Sequence, residues 1–409
     1  MAARETVTLG ATGDISFSGQ TGVEMMERGA DWPFESMRPH LARADVLFGN
    51  MESVAIPDDY PRDQIDPDGL ISPVPGPDGA AALKRAGFDF LNLAANHILD
   101  AGAVGMDYTK RCLEQAGIAT GGVGYSQAEA RRLAVLETGG LTFGFLCYGE
   151  DSNYTLGHTT PSYAYYELDT VVEDVRRHRA DADVLVVSIH GDLEFMPTPS
   201  LPRLCNSREI ARAGADLILQ HHPHVPQGME MVDGCLIAYS LGNFVFDAHS
   251  FGYLRDNGPH TAHSFLLLAE VGRNGVESFE RVPFEIRESP EERPVALEGR
   301  ARGAMLRYLS RLDAKLADEE AVKRTWRKVA KRMLKSYIQK AAERDVDGVI
   351  EELVGRVCFV AENRSWAQEI RDMAREQWDQ MNREADPLHR PHYRFTRKRP
   401  RRRVRRRKS

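Results

Sequence analysis

DVLVVSIHG (Asp183–Gly191) and ADLILQHHPH (Ala215–His224) are two apolar runs that each stop on histidine, and a helix-like stretch, SREIARAGA (Ser207–Ala215), lies between them. The same grammar recurs on either side. TVTLGATGD (Thr6–Asp14), ADVLFGNME (Ala44–Glu52), FDFLNLAANH (Phe88–His97), LTFGFLCYG (Leu141–Gly149) and CLIAYSLGNF (Cys235–Phe244) are short β-branched or apolar runs closed by Gly, Asp, Asn or His. Helix-like stretches such as GAAALKRAG (Gly79–Gly87) and AVGMDYTKRCLEQAG (Ala103–Gly117) separate them. Strand alternating with helix predicts an α/β sheet whose polar strand ends gather on one edge. SFLLLAEV and SFERVPFEI, joined by a polar turn at Arg273–Gly275, predict a closing antiparallel hairpin.

Beyond residue 290 the pattern changes. Leu306, Leu309, Leu312 and Leu316, then Trp326, Val329, Met333 and Ile338, recur at three- and four-residue steps in a segment without Gly or Pro. Three regions are therefore expected: 1–290 with the sheets, 291–386 all-helical, and 387–409 a disordered basic tail. The tail carries ten basic side chains in the twelve positions from Arg397 to Lys408, and such a block repels itself and buries nothing. The formal net charge of −7 thus divides into +10 on the tail and about −17 on the rest.

Composition narrows the class. With 42% hydrophobic and 28% charged residues over 409 positions, the chain can bury a real core. No apolar run reaches the roughly 18–20 residues that span a bilayer. The first residues lack the basic-then-apolar layout of a signal peptide. The five cysteines are scattered without a CxxC pair, which argues against a disulfide framework or a cysteine zinc site and for a reducing cytoplasm. The tail suits an anionic polymer or an anionic membrane face, placing the protein peripherally at the inner face. It lacks interleaved aromatics, which argues against specific nucleic-acid binding.

The polar residues that end the apolar runs form a set: Asp14, Glu52 with Asn50, Asn96 and His97 with Asp100, His190 with Glu194, then His222 and His224. Carboxylate, amide oxygen and imidazole together suit two borderline divalent ions such as Mn, Fe or Zn. Such a pair can activate a water and clamp a phosphoryl group. His222 and His224 flank Pro223 in what reads as an extended loop, pointing both rings one way. Each residue also has a plain reading. Asp14 and Asn96 could be turn residues, Asp100 the cap of a helix starting near Ala101, and Glu194 a solvated loop charge or a supporting group. Tyr239–Asp247 reads as scaffold whose Gly-Asn turn could line a cleft.

The wording of these segments resembles the bacterial capsule-synthesis CapA family, a poly-γ-glutamate-associated branch of the calcineurin-like metallophosphoesterases. The matching motifs are GD (Gly13–Asp14), GNMES (Gly49–Ser53), AANHILDAG (Ala94–Gly102), HGDLEF (His190–Phe195), HHPHVPQ (His221–Gln227) and YSLGNFVFD (Tyr239–Asp247), over roughly residues 5–290. The resemblance implies a four-layer α/β/β/α sandwich with a dinuclear metal centre. Asp14 and His224 would bind the first metal, Asn96, His190 and His222 the second, and Glu52 would bridge them. His97 would be the general acid, with Asn50 and Asp100 supporting. Two positions depart from the wider superfamily: Ser16 stands where D-x-H has histidine, and Asn50 and Glu52 stand where GDxxD has aspartates. The function implied is a metal-dependent, phosphoesterase-like hydrolase in capsule or poly-γ-glutamate-type polymer biosynthesis. The alternatives are a non-hydrolytic partner of a polymer synthase and a metal-dependent amide hydrolase or transferase.

Overall fold

The structure, a computed structural model, describes residues 6–65, 69–150, 162–258, 260–342 and 361–384. The chain opens the first sheet with β1 (Thr6–Ile15), β2 (Val46–Met51), β3 (Phe88–Asn92) and β4 (Ala119–Gly121), all parallel. It passes through a short ribbon strand, β5 (Val123–Gly124), and enters the second sheet with β6 (Ala134–Thr138) and β7 (Leu141–Gly149). After β8 (Ser162–Tyr163) pairs back on β5, the second sheet is completed by β9 (Val184–His190), β10 (Leu217–His221), β11 (Met229–Val232) and β12 (Cys235–Ala238). The chain then returns to the first sheet through β13 (Asn243–Val245), β14 (His263–Gly272), β15 (Gly275–Ile286) and β16 (Pro294–Ala296).

The strand orders are β16-β15-β14-β1-β2-β3-β4, with β13 also parallel to β1, and β11-β12-β10-β9-β7-β6. The expected hairpin is β14–β15, turning at Gly272–Gly275, where Gly275 takes φ +95.

Side-chain alternation builds the layers. In β9, Val184 and Val186 enter the core between the sheets. Leu185, Val187 and Ile189 face Val171, Val175, Leu204 and Ile210 of the outer helices. Between the sheets, Phe90 stacks on Phe145 with centroids 4.0 Å apart, and Phe48 lies 5.8 Å from Phe90. Such pairs contribute about 0.5–1.5 kcal/mol beyond their burial. Helices Gly76–Ala86 and Gly102–Gln115 cover the first sheet, and Leu168–His178 and Leu201–Ala213 the second. The result is an α/β/β/α sandwich. Helix Leu201–Ala213 shows why the sequence punctuates as it does: Ser200 accepts the Arg203 N–H, Pro202 sits in the first turn, and Gly214 ends the helix at φ +121.

The C-terminal helices are Gly299–Leu316, Glu319–Ala342 and Ala361–Glu384. The first lies across both sheets: Met305, Leu309 and Leu312 join the inter-sheet core and Leu316 the outer one. Arg281 grips Asp313 of that helix at 3.0 and 2.7 Å. The other two pair through Arg327, which reaches Glu369 at 2.8 Å and Glu376 at 2.6 Å. Trp326 and Trp366 of this pair are buried with Leu193, and Met196 packs on the same cluster. Ile338, assigned to the apolar stripe by its spacing, is 54% exposed and does not join the Trp326–Trp366 cluster. No described helix is long and apolar enough to cross a membrane. Of the cysteines, Cys112, Cys147, Cys205 and Cys235 are free; Cys358 and the basic tail lie outside the described residues.

Candidate metal centre

Register brings the polar strand ends together. Asp14 on β1 stands beside Asn50 on β2, Asn50 beside Asn92 on β3, and His190 on β9 beside His221 on β10. All are C-terminal strand ends of parallel strands, where an α/β sheet opens its crevice. The last turn of β1 depends on Gly13, whose Cβ position lies 1.8 Å from the Gly242 carbonyl oxygen. Only glycine admits that approach, and it lets the Asp14 N–H donate to the same carbonyl at 2.9 Å.

Three overlapping sets of side chains offer ligand atoms within 4.8 Å of one another: Asp14, Glu52 and His224; Glu52, His190 and His222; and Glu194, His222 and His224. Glu52 is the carboxylate common to the first two. Its Oε1 lies 3.6 Å from His224 Nε2 and 4.0 Å from His190 Nε2. These separations are too long for hydrogen bonds. They are the spacing of ligand atoms gathered around a shared ion.

Two of these groups have no other partner: among the described residues, both Glu52 oxygens and both His222 ring nitrogens are buried with no hydrogen bond. Burial pushes the Glu52 carboxyl well above its ordinary range, and the charges of Asp14 and Glu194 push it the same way. Burial likewise holds His190 and His222 well below the usual imidazole range, with neighbouring histidines adding to the effect. Orphaned, fully buried carboxylate and imidazole groups carry a cost of several kcal/mol that a bound cation removes. The donor set therefore fits divalent metal.

Amides hold the ligands in place. Asn50 Nδ2 donates to Asp14 Oδ1 at 2.9 Å and lies 3.1 Å from His190 Nδ1, while its Oδ1 accepts from Asn92 at 2.6 Å. On the other side of the ring, His190 Nε2 lies 2.7 Å from Asn96 Oδ1. Asn243 Oδ1 lies 2.9 Å from His224 Nδ1 and fixes that ring.

The structure brings Asp14, Asn50, Glu52, Asn96, His190, His222 and His224 into one buried cluster, with Glu194 at its edge. His97 and Asp100 form a half-buried pair, Nδ1 to Oδ2 at 2.7 Å. Asp100 does not cap the following helix, whose N-cap is Ala101; its carboxylate instead accepts the Leu70 N–H at 2.6 Å. The loop carrying His222 and His224 is not extended, since both residues take left-handed backbone at φ +92 and +55. Ser16 bonds Ser18 rather than facing the ligands with an imidazole. Sequence reading missed Asn92, which a polar residue at a strand end could have signalled, and His221, which stacks 5.8 Å from Phe48 with Nδ1 3.5 Å from Asp14. It also left Asn243 with the scaffold, where the Gly-Asn turn was the available signal.

Among relatives, the PGA biosynthesis protein CapA of Bacillus subtilis (strain 168) is 28% identical over 302 residues, covering 73% of this chain and 76% of that protein. The capsule biosynthesis protein CapA of Bacillus anthracis is 30% identical over 304 residues, covering 72% and 71%. A solved 5'-nucleotidase precursor from Thermus thermophilus aligns at a TM-score of 0.41 and 13% identity over 76% of this chain and 59% of its own, too loosely to carry weight. Residues 8–248, most of the two-sheet body and every histidine of the cluster, match the bacterial capsule synthesis protein PGA_cap family, and the chain belongs to that family.

Proposed function

We propose that the protein is a dinuclear metal-dependent phosphoester hydrolase acting in the assembly or trimming of an anionic capsule or poly-γ-glutamate-type polymer. The observation that carries this is Glu52: buried, without a hydrogen bond, and shared by two ligand sets. Asp14 and His224 would hold one ion and Asn96, His190 and His222 the other, with Glu52 contributing to both sets. The ions (Mn, Fe or Zn by donor type), when bound, lower the pKa of the attacking water and neutralise the phosphoryl group. The remaining work falls to the chain. Asp100 fixes His97 Nδ1, leaving Nε2 to protonate the departing alkoxide. Asn50, Asn92 and Asn243 keep the ligands oriented, and Glu194 supports His224 from 3.8 Å.

A second reading rests on Ser16. With no imidazole there, the first ion has fewer donors, which favours a metal-stabilised, non-hydrolytic subunit beside a polymer synthase. In either case the basic tail would contact an anionic membrane face or the polyanion itself.

Metal analysis of purified protein with a p-nitrophenyl phosphate assay in Mn separates the two. The hydrolase reading expects about two equivalents of metal and turnover that His97→Ala lowers roughly 10²–10⁴-fold without loss of metal. Fewer than one equivalent and no turnover would sink it. Polymer output in cells that survives His97→Ala but not His222→Ala would favour the accessory role.

A further inference from the structure

A ladder of aromatic rings runs outward from the metal cluster. The Phe195 ring stacks on His224 with centroids 6.2 Å apart and planes at 29°, and meets Tyr253 edge to face at 5.1 Å. Tyr253 in turn lies 6.0 Å from Phe251. The inner rung is held under constraint. Phe195 takes φ +60, a conformation that costs a non-glycine residue, and its N–H donates to the Pro223 carbonyl at 2.9 Å between the two ligand histidines. The Tyr253 hydroxyl donates to Glu194, which ties the next rung to the same cluster.

The outer rungs are anchored and yet open. Asp247 accepts the Ser250 and Phe251 N–H groups at 2.9 and 3.2 Å, and Leu254 is buried beneath them. Phe251 and Tyr253 nonetheless remain 44% and 48% exposed. Two large, fixed, exposed rings continuous with a ligand cluster mark a binding surface rather than a loose loop. The nearby charges Arg255 and Asp256 pair with each other at 2.9 Å, and Glu194 is the acid at the ladder's foot. That electrostatic setting disfavours a second phosphate and favours a flat, uncharged ring.

We infer that Phe195, Tyr253 and Phe251 form a stacking wall that selects phosphoesters whose leaving alcohol carries a planar aromatic ring. This deepens the hydrolase reading and rests on it for the position of the phosphoryl group. The test is calorimetric binding of phenylphosphonate and methylphosphonate to full-length protein loaded with Mn. Wild type should bind the phenyl compound about tenfold more tightly. Phe251→Ala, which touches no ligand residue, should remove most of that ratio, as should Tyr253→Ala, while Tyr253→Phe should keep it. Equal affinities in wild type, or an unchanged ratio in Phe251→Ala, overturn the inference. Parallel assay of p-nitrophenyl phosphate separates the two claims. Ring preference without turnover sinks hydrolysis alone, turnover without ring preference sinks the wall alone, and failure to bind either phosphonate sinks both.

Discussion

Glu52 and Glu292 are both buried carboxyl groups, and only Glu52 lies in the candidate metal cluster. Glu52 has no hydrogen-bond partner among the described residues and faces His190 and His224. Glu52→Gln removes a buried charge that is costly without metal and indispensable with it. Metal-free Glu52→Gln should therefore melt above metal-free wild type at pH 8, while the rise in Tm on adding Mn should vanish; a preserved metal-induced shift would exclude Glu52 as a ligand. Glu292 lies far from the cluster in sequence, and burial followed by repulsion from Asp247 pushes its carboxyl up to about 9. Because the folded state binds this proton more tightly, its contribution is fully present below pH 4.5 and is lost as pH rises toward 9. Glu292→Gln should flatten the pH dependence of stability between 5 and 9. At pH 8 it should raise Tm by about 1–2 °C for each kcal/mol recovered. An unaltered slope in thermal melts refutes the assignment. At this scale the clustered residues were readable, since each stands at or just after the end of an apolar run. The roles of Asn92 and Asn243 were not, because an amide side chain reads the same whether it caps a turn or braces a neighbouring amide or imidazole 2.6–2.9 Å away.

The strands and the C-terminal helices were legible because period 2 and period 3.6 are properties of local spacing. Where those helices dock was not. Trp326 and Trp366 close on Leu193 and Met196, which flank Glu194 in the loop after β9. The helical pair thus braces a loop that borders the metal cluster instead of standing apart from it. Trp366→Ala should cost about 3–5 kcal/mol of stability. It should also weaken metal affinity, since the Glu194 loop loses its support. Metal titration that gives wild-type affinity in a folded Trp366→Ala protein would show the brace to be purely structural. The spacing that placed Ile338 on the buried stripe failed for a related reason: periodicity reports that a face exists, not how much of it another element covers.

Across the whole molecule, charge and topology divide the labour. About −17 on everything but the tail leaves general anion affinity to Arg397–Lys408. Deleting 397–408 should abolish salt-sensitive retention on anionic vesicles and leave metal content unchanged; retention that persists would move the anion site elsewhere. Alternating strands and helices, polar strand ends and motif order all follow from residues close along the chain, and so the α/β class, the C-terminal helices and the residue types of the cluster were written there. The pairing of Asp14 with His222 and His224, some 210 residues away, was not. Neither were the left-handed turns at His222 and His224, nor the ring ladder that joins Phe195 to Phe251. Those depend on two sheets packing face to face and on a β1 turn that closes against Gly242. Local sequence sets which groups stand at each strand end, whereas the distances among them arise when burial of the shared core fixes sheet against sheet.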